Sequence, residues 1–359
     1  MVNVIDKLLE KMNSKDAMRF SDKNIFSGHS VWLPSADPLI DLHSGTLGAP
    51  VGFTEISGKS KGGKTSIALS YMKSHQNKYP EGIRIILSSE ERDNREYAER
   101  MGIDTSKVMI IKSKFVEDLF FKLQIQIDYI TEIWQEEKLP GKPKIFCMWD
   151  SLGGTLCRAE AEAYRENVAI YKKALEKGTK GEIKHPQMMA FSKVTKGLVK
   201  AIISQIYDKD IVFIILNHRY ANTEGSGTQS TGGLWVEHSC TLRYELVRKE
   251  FVVLDDIQVG QKSIMKTDKN DFGSREKTEI EILLGYGIVL SEPTIEYALT
   301  KGILKQEGAK KITYLGSKMS WTSKRTFYQL YKENNKFLAM LTNQISKEVH
   351  KEVLKEKGL

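Results

Sequence analysis

Cysteine is scarce in this chain of 359 residues: Cys147, Cys157 and Cys240 are the only three. An odd, widely spaced set excludes a disulfide framework and a cysteine-ligated metal centre, and leaves reduced packing residues. The seven histidines show no ligand spacing either. No apolar run approaches the length of a bilayer crossing, so no membrane is expected among the partners. The opening residues, Met1-Val2-Asn3-Val4-Ile5-Asp6-Lys7, bring in an acid early and hold no uninterrupted apolar core. That is not the form of a secretory signal, and a cytoplasmic location is expected. No internal repeat is visible. What is present is ordinary for a globular protein, with 28% charged and 40% hydrophobic residues. The length suffices for one large domain with small appendages. The net charge of +8 and a pI of about 9.0 favour an acidic partner such as nucleic acid.

The most informative stretch is Gly58-Lys59-Ser60-Lys61-Gly62-Gly63-Lys64-Thr65, a complete GxxxxGK(S/T) phosphate loop. Its glycines let successive backbone N–H groups curl around a di- or triphosphate, and the following helix aims its positive end at the same anion. Lys64 is expected to reach the β/γ-phosphates and Thr65 to hold Mg²⁺. Gly58, Gly63 and Ser66 complete the nucleotide set. The lead-in Gly52-Phe53-Thr54-Glu55-Ile56-Ser57 reads as a strand, and Ser66-Ile67-Ala68-Leu69-Ser70-Tyr71-Met72 as a helix. A flexible surface loop of glycine and lysine would not need that setting.

Downstream, apolar runs alternate with helical patterns, which predicts a parallel sheet of an α/β fold. Ile83-Arg84-Ile85-Ile86-Leu87-Ser88-Ser89-Glu90 is a strand ending in a carboxylate, and Val108-Met109-Ile110-Ile111 is another strand. Lys144-Ile145-Phe146-Cys147-Met148-Trp149-Asp150-Ser151 has the form of a Walker B strand, with Asp150 placed to support Mg²⁺. Asp210 to His218 is a further buried strand whose polar end, Asn217-His218, is placed to touch the phosphate edge. Ligands of such sheets lie beyond the carboxyl ends of the strands, which makes Glu90 a candidate for activating water. Each acid alone would commonly do no more than end its strand; the order behind the phosphate loop is what gives them meaning.

The stretch from Arg219 to Gly233, rich in glycine, serine and threonine, reads as a mobile loop, either an exposed linker or one that orders on a ligand. Residues 3 to 13 carry Val4, Leu8, Leu9 and Met12 at helical spacing, and Ile25-Phe26 follows in a polar segment. A helix packed on its own domain and an arm docked on a neighbour are both open readings. Beyond residue 291 the pattern turns helical, as in a small terminal domain.

In this order the pieces resemble the RecA-family recombinases, the phage UvsX-like type most of all, from about residue 31 to the C-terminus. The resemblance implies a RecA-like P-loop ATPase core with a mainly parallel sheet (31–290), an N-terminal oligomerisation arm (1–30) and a small C-terminal domain (291–359). It makes Glu90 the catalytic glutamate, Tyr97 the ring stacked on adenine and His218 the sensor of the γ-phosphate. Met188, in a first loop, and Arg219 and Tyr220, at the start of a second that closes on Gly232-Gly233, would face DNA. Lys266 and Lys269 match the paired lysines that reach the adjacent subunit's nucleotide, here spaced by two residues where the family has one. Two further departures are a charged, helix-prone stretch between Leu156 and Lys180, and a mixed to basic C-terminal end where bacterial RecA is acidic.

The function implied is an ATP- and Mg²⁺-dependent recombinase, a DNA-dependent ATPase of recombination and repair. It would polymerise on single-stranded DNA as a helical filament and pair it with double-stranded DNA, alongside single-strand-binding and mediator proteins. If phage-encoded, it would work in the host cytoplasm. A RecA-like accessory ATPase that binds a recombinase without exchanging strands is the alternative. A hexameric helicase is disfavoured by Gly232-Gly233 and the Lys266 region.

Overall fold

The phosphate-loop strand lies in the middle of the largest sheet of the protein. A computed structural model describes residues 31–90, 95–180, 190–221, 228–273, 275–317 and 319–357. The proposed N-terminal arm with Ile25 and Phe26, and Met188, lie outside the described residues. In chain order the elements are β1 (Trp32–Leu33), α1 (Pro38–Ser44), β2 (Ala49–Pro50), β3 (Gly52–Gly58), α2 (Lys64–Lys78), β4 (Ile83–Ser88), α3 (Arg95–Arg100), β5 (Val108–Lys112), α4 (Val116–Glu136) and β6 (Ile145–Asp150). There follow α5 (Arg158–Glu176), α6 (Ala190–Asp208), β7 (Ile211–Ala221), β8 (Thr228–Ser230), α7 (Leu234–Ser239), β9 (Cys240–Leu254), β10 (Ile257–Asn270), β11 (Lys277–Leu283) and β12 (Gly287–Val289). The chain ends with α8 (Glu292–Thr300), β13 (Leu304–Glu307), β14 (Lys311–Tyr314), β15 (Ser320–Trp321), α9 (Lys324–Glu333) and α10 (Asn335–Glu356).

The central sheet runs β12-β11-β10-β9-β3-β7-β6-β4-β5, with β8 paired to the end of β7. Strands β9, β3, β7, β6, β4 and β5 are mutually parallel, and β10, β11 and β12 continue the sheet antiparallel. The fold is therefore α/β with a mainly parallel sheet, as expected of a RecA-like core. The near-continuous apolar runs of β6 and β7 follow from their position inside the sheet, covered on both faces: Ile145 to Trp149 and Ile211 to Leu216 are all buried.

Beyond residue 291 the helices α8, α9 and α10 are present, but the reading of a purely helical end needs correction. A three-stranded antiparallel sheet, β13-β14-β15, lies among them. Its strands have four residues or fewer, too few for a period of two to register against the helical pattern around them. This region packs its own apolar cluster, including Tyr314, Trp321, Phe327, Phe337 and Leu341, which Val252, Leu283 and Val289 join from the central sheet. A buried polar tie adds to the junction: Asp37, at the N-cap of α1, accepts from Ser291 N at 3.0 Å and from the Thr294 hydroxyl.

Candidate nucleotide site and nucleic-acid face

Parallel strands bring their carboxyl ends to one edge, and the register shows which residues are level there. Gly58 at the end of β3 pairs with His218 on β7, and Asp150 at the end of β6 pairs with Ser88 on β4, two residues before Glu90. The chain between β3 and α2 closes tightly. Gly63 has φ of 100°, and a Cβ there would lie 2.1 Å from Ile282 Cδ1, so only glycine fits. Lys64 is largely buried, and its Nζ donates to the carbonyls of Gly58 at 3.0 Å and Lys59 at 3.1 Å. Burial holds its pKa below the usual lysine value, while Asp150 and Glu90 pull the other way. Both carboxylates therefore act on the ammonium electrostatically.

Around this lysine stand the other expected groups. Thr65 Oγ1 donates to Asp150 Oδ2 at 3.4 Å, which sets the two oxygens expected at a metal side by side. Ser66 Oγ and the Tyr97 hydroxyl are 2.6 Å apart, fixing the Tyr97 ring next to the start of α2. Burial raises the Tyr97 pKa, so the phenol stays protonated. Ser151 Oγ donates to Glu90 Oε1 at 3.5 Å. His218 has a lowered pKa, first from burial and then from Lys64, with Glu90 opposing. The histidine is thereby favoured as the neutral imidazole, which can both donate and accept.

Residues not singled out in the sequence complete the site. A Cβ on Gly153 would lie 2.9 Å from His218 Cδ2, and one on Gly154 would lie 3.1 Å from Ser89 Oγ. The pair therefore lets the turn after β6 pass close beneath His218 and Glu90. The double glycine behind the Walker B acid was a visible signal. Opposite the phosphate loop, β9 continues past the end of β3, since Gly58 is level with Leu246 while β9 reaches Leu254. This overhang gives a cleft of about 690 Å³ between the phosphate loop and Tyr97 on one side and Arg248, Phe251, Gln258, Gln261 and Gly285 on the other. The Arg248 guanidinium stacks 4.7 Å from the Phe251 ring centroid. No motif announces this wall; it follows from strand length.

Three readings change. Asn217 does not face the phosphate edge, because successive side chains of a strand alternate and its neighbour His218 takes that side. It is buried and donates to Glu55 Oε1 and Thr231 O, both at 2.7 Å, while Glu55 Oε2 accepts from Arg243 Nε at 2.6 Å. The stretch after it is not wholly loop: Arg219, Tyr220 and Ala221 pair with Ser230, Gln229 and Thr228 as a hairpin continuing β7. Arg219 is not a free cation. Its Nη1 lies 2.7 Å from Asp268 and 3.1 Å from Glu245, and the side chain is 13% exposed. Tyr220, by contrast, is exposed.

Lys266 lies 3.4 Å from the same Glu245, and Lys269 donates to the Glu237 carbonyl at 2.9 Å. Both are on β10, two strands away from β3, and neither bonds to this chain's own phosphate loop. Among the described residues no group of three or more His, Cys, Asp or Glu could hold a metal ion, and no helix is long and apolar enough to cross a membrane.

No protein-family model matches the chain. Proteins named RecA are similar to it over most of its length. That of Bifidobacterium breve is 22% identical over 344 residues, 92% of this chain and 77% of its own. That of Chlorobaculum tepidum is 25% identical over 322 residues, 86% of this chain and 81% of its own. That of Corynebacterium glutamicum strain R is 24% identical over 356 residues, 95% and 83% respectively. These likenesses support a place in the RecA family and agree with the RecA-like core seen in the sheet.

Proposed function

We propose that the chain is an ATP-dependent DNA recombinase of the phage UvsX-like kind, forming filaments on single-stranded DNA and exchanging strands with a homologous duplex. The observation that carries this reading is the continuity of β7: His218 stands at the phosphate edge, and the same strand runs on into the Arg219–Tyr220 hairpin. One strand therefore spans the proposed nucleotide and DNA sites. A displacement of His218 by a few tenths of an ångström has a direct route to Tyr220, through a rigid element.

The residues fit ATP and Mg²⁺. Gly63 leaves no room for a side chain, Lys64 is oriented by loop carbonyls, and Thr65 and Asp150 present two oxygens next to each other. Mg²⁺ keeps several waters and takes few protein ligands, which suits a pair and not a cluster. When bound, the ion neutralises phosphate charge. Lys64 would bind the β/γ-phosphates, Tyr97 and the β9 overhang would hold the base, and Glu90 would orient the attacking water and accept its proton. Neutral His218 would hydrogen-bond the γ-phosphate end. Lys266 and Lys269 would serve a neighbour's nucleotide, leaving their present partners to do so.

Self-assembly has a surface to use. Phe121, Ile125, Tyr129 and Ile133 form an exposed apolar stripe along α4, and Met109 and Ile110 are exposed on β5, the outermost strand of the sheet. An apolar patch beside an open strand edge marks an interaction surface. The partner in this reading is a second copy, contributing its N-terminal residues 1–30. Tyr220 and Met188 would meet bases, with mediator and single-strand-binding proteins acting on the assembled filament.

Electron microscopy with ATP and single-stranded DNA tests the reading. Helical filaments are expected; closed rings would mean a helicase, and neither would favour an accessory ATPase.

A further inference from the structure

Between the ATPase core and the last helix lies a second pocket, of about 350 Å³, which adjoins the nucleotide cleft through Arg100 and Gly285 but shares no lining residue with it. The core side brings Lys73 and Lys78 from α2 and Arg100 from α3; the other side brings Thr342, Asn343 and Ser346 from α10. Its full lining contains three cations and no acidic side chain. We propose that this pocket binds a small, multiply charged anion of the phosphate class, at a site separate from the nucleotide cleft.

Charge and satisfaction both point that way. Lys73 has no carboxylate partner among the described residues, and burial alone lowers its pKa. A cation withdrawn from water without a counter-charge is costly unless a ligand supplies one. Lys78, exposed at the rim, donates to the Trp32 carbonyl at 2.9 Å and lies over the Tyr79 ring, and has no carboxylate partner among the described residues. Arg100, itself half-exposed, donates through Nε to Gly285 O at 3.1 Å, and among the described residues its acid is Glu96, 3.7 Å away on an exposed face. Lys332, over the Tyr286 ring at 5.4 Å, adds positive charge near the rim. Ser346 Oγ is buried and makes no hydrogen bond among the described residues. A buried hydroxyl left unpaired is uncommon, and an anion's oxygens would accept from it as well as from the three cations. The volume admits phosphate or a compact phosphomonoester, not a second nucleoside triphosphate in extended form.

The test uses the full chain and inorganic phosphate, titrated calorimetrically at constant ionic strength set with potassium chloride. Working in a Lys64→Ala background removes the phosphate loop as a competing site. A binding event should persist there, weaken about tenfold or more with Lys73→Met or with Arg100→Gln, and recover in part with Lys73→Arg, as charge-assisted hydrogen bonds require. No binding in the Lys64→Ala protein, or binding that neither pocket substitution changes, overturns the proposal. Crystals of the unsubstituted chain soaked in phosphate give an answer by position. Density beside Lys73 supports the site, and density only against the phosphate loop overturns it.

Discussion

The two halves of the central sheet do different kinds of work. In the parallel half, β6 and β7 bury near-continuous apolar runs, and with β3 and β4 they place chemistry at their ends, where Lys64, His218, Asp150 and Glu90 gather. In the other half, where the antiparallel β10 joins β9, the strands carry charge along their lengths, as Arg243, Glu245, Lys266 and Asp268 pair across strands and with Arg219. A strand end holds a functional group by backbone geometry, so a motif suffices to specify it. A strand face holds one by pairing, so its role depends on a partner that is remote in sequence. The two kinds of site should fail differently when altered.

At the strand ends the loss should be chemical. Glu90→Gln keeps size and removes the base, so steady-state ATP turnover should fall about 10²- to 10⁴-fold, the usual worth of a positioned general base, with ATP affinity nearly unchanged. Turnover at the parental rate would take Glu90 out of the mechanism. At the seam between the halves the loss should be structural. Glu55 is fully buried between Arg243 and Asn217, and Glu55→Ala would leave a buried guanidinium without its charge partner, at a cost of about 3 to 5 kcal/mol. Denaturant unfolding measures it; a loss under about 1 kcal/mol would mean that Glu237, 3.1 Å from Arg243, suffices alone.

This division also explains what was legible beforehand. The phosphate loop, Asp150, Glu90 and the strands that carry them announce themselves through short spacings and apolar runs, and the parallel order follows from alternation. Asn217 was misread because a dipeptide at a strand end does not say which of two faces each side chain takes. The ion pairs that hold Arg219 were not legible, because Asp268 and Glu245 come within reach only through the pairing of β9 with β10. The wall made by Arg248, Phe251, Gln258 and Gln261 was invisible for the same reason, since nothing local encodes how far β9 outruns β3.

Within the parallel half, one packing residue should respond to pH. His75 is buried on α2 against Phe146 and Tyr79, and burial, then Arg84, lowers its pKa to about 3. The unfolded chain takes up this proton near pH 6.5 and the folded one only near 3, so the group's contribution is full above 6.5 and is lost as the pH falls between them. The loss should be about 1 kcal/mol between pH 6.5 and 5.5, steepening toward about 1.4 kcal/mol per pH unit below that. His75→Phe should flatten that part of the stability curve, and an unchanged slope would mean that the imidazole protonates in place. On the side of β9 and β10, Phe251→Ala removes part of the cleft wall and the ring under Arg248. It should weaken ATP binding about fivefold, or about 1 kcal/mol, leaving turnover at saturation intact. A fall in saturated turnover would instead put the overhang in the chemistry.

The smallest effect is expected where sequence reading placed a large one. If Arg219 faced a DNA phosphate, Arg219→Ala would reduce the salt dependence of single-stranded DNA binding by about 0.7 in the log-log slope, the counterion share of one contact on a single strand. Its guanidinium is instead held by Asp268 and Glu245 with little exposure, and these two carboxylates must lose their cation before it can turn outward. Lys266, already 3.4 Å from Glu245, can compensate half of what Arg219→Ala exposes. The slope should therefore stay within about 0.2 of the parent's, well short of a whole contact. Tyr220→Ala, on the exposed neighbour, should weaken binding with no change in slope, because stacking on a base carries no charge. A drop of about 0.7 with Arg219→Ala would show that the arginine exchanges its carboxylates for phosphate when DNA binds. Asp268→Asn would then raise affinity by loosening the hold, whereas a purely structural Arg219 leaves DNA affinity indifferent to that change.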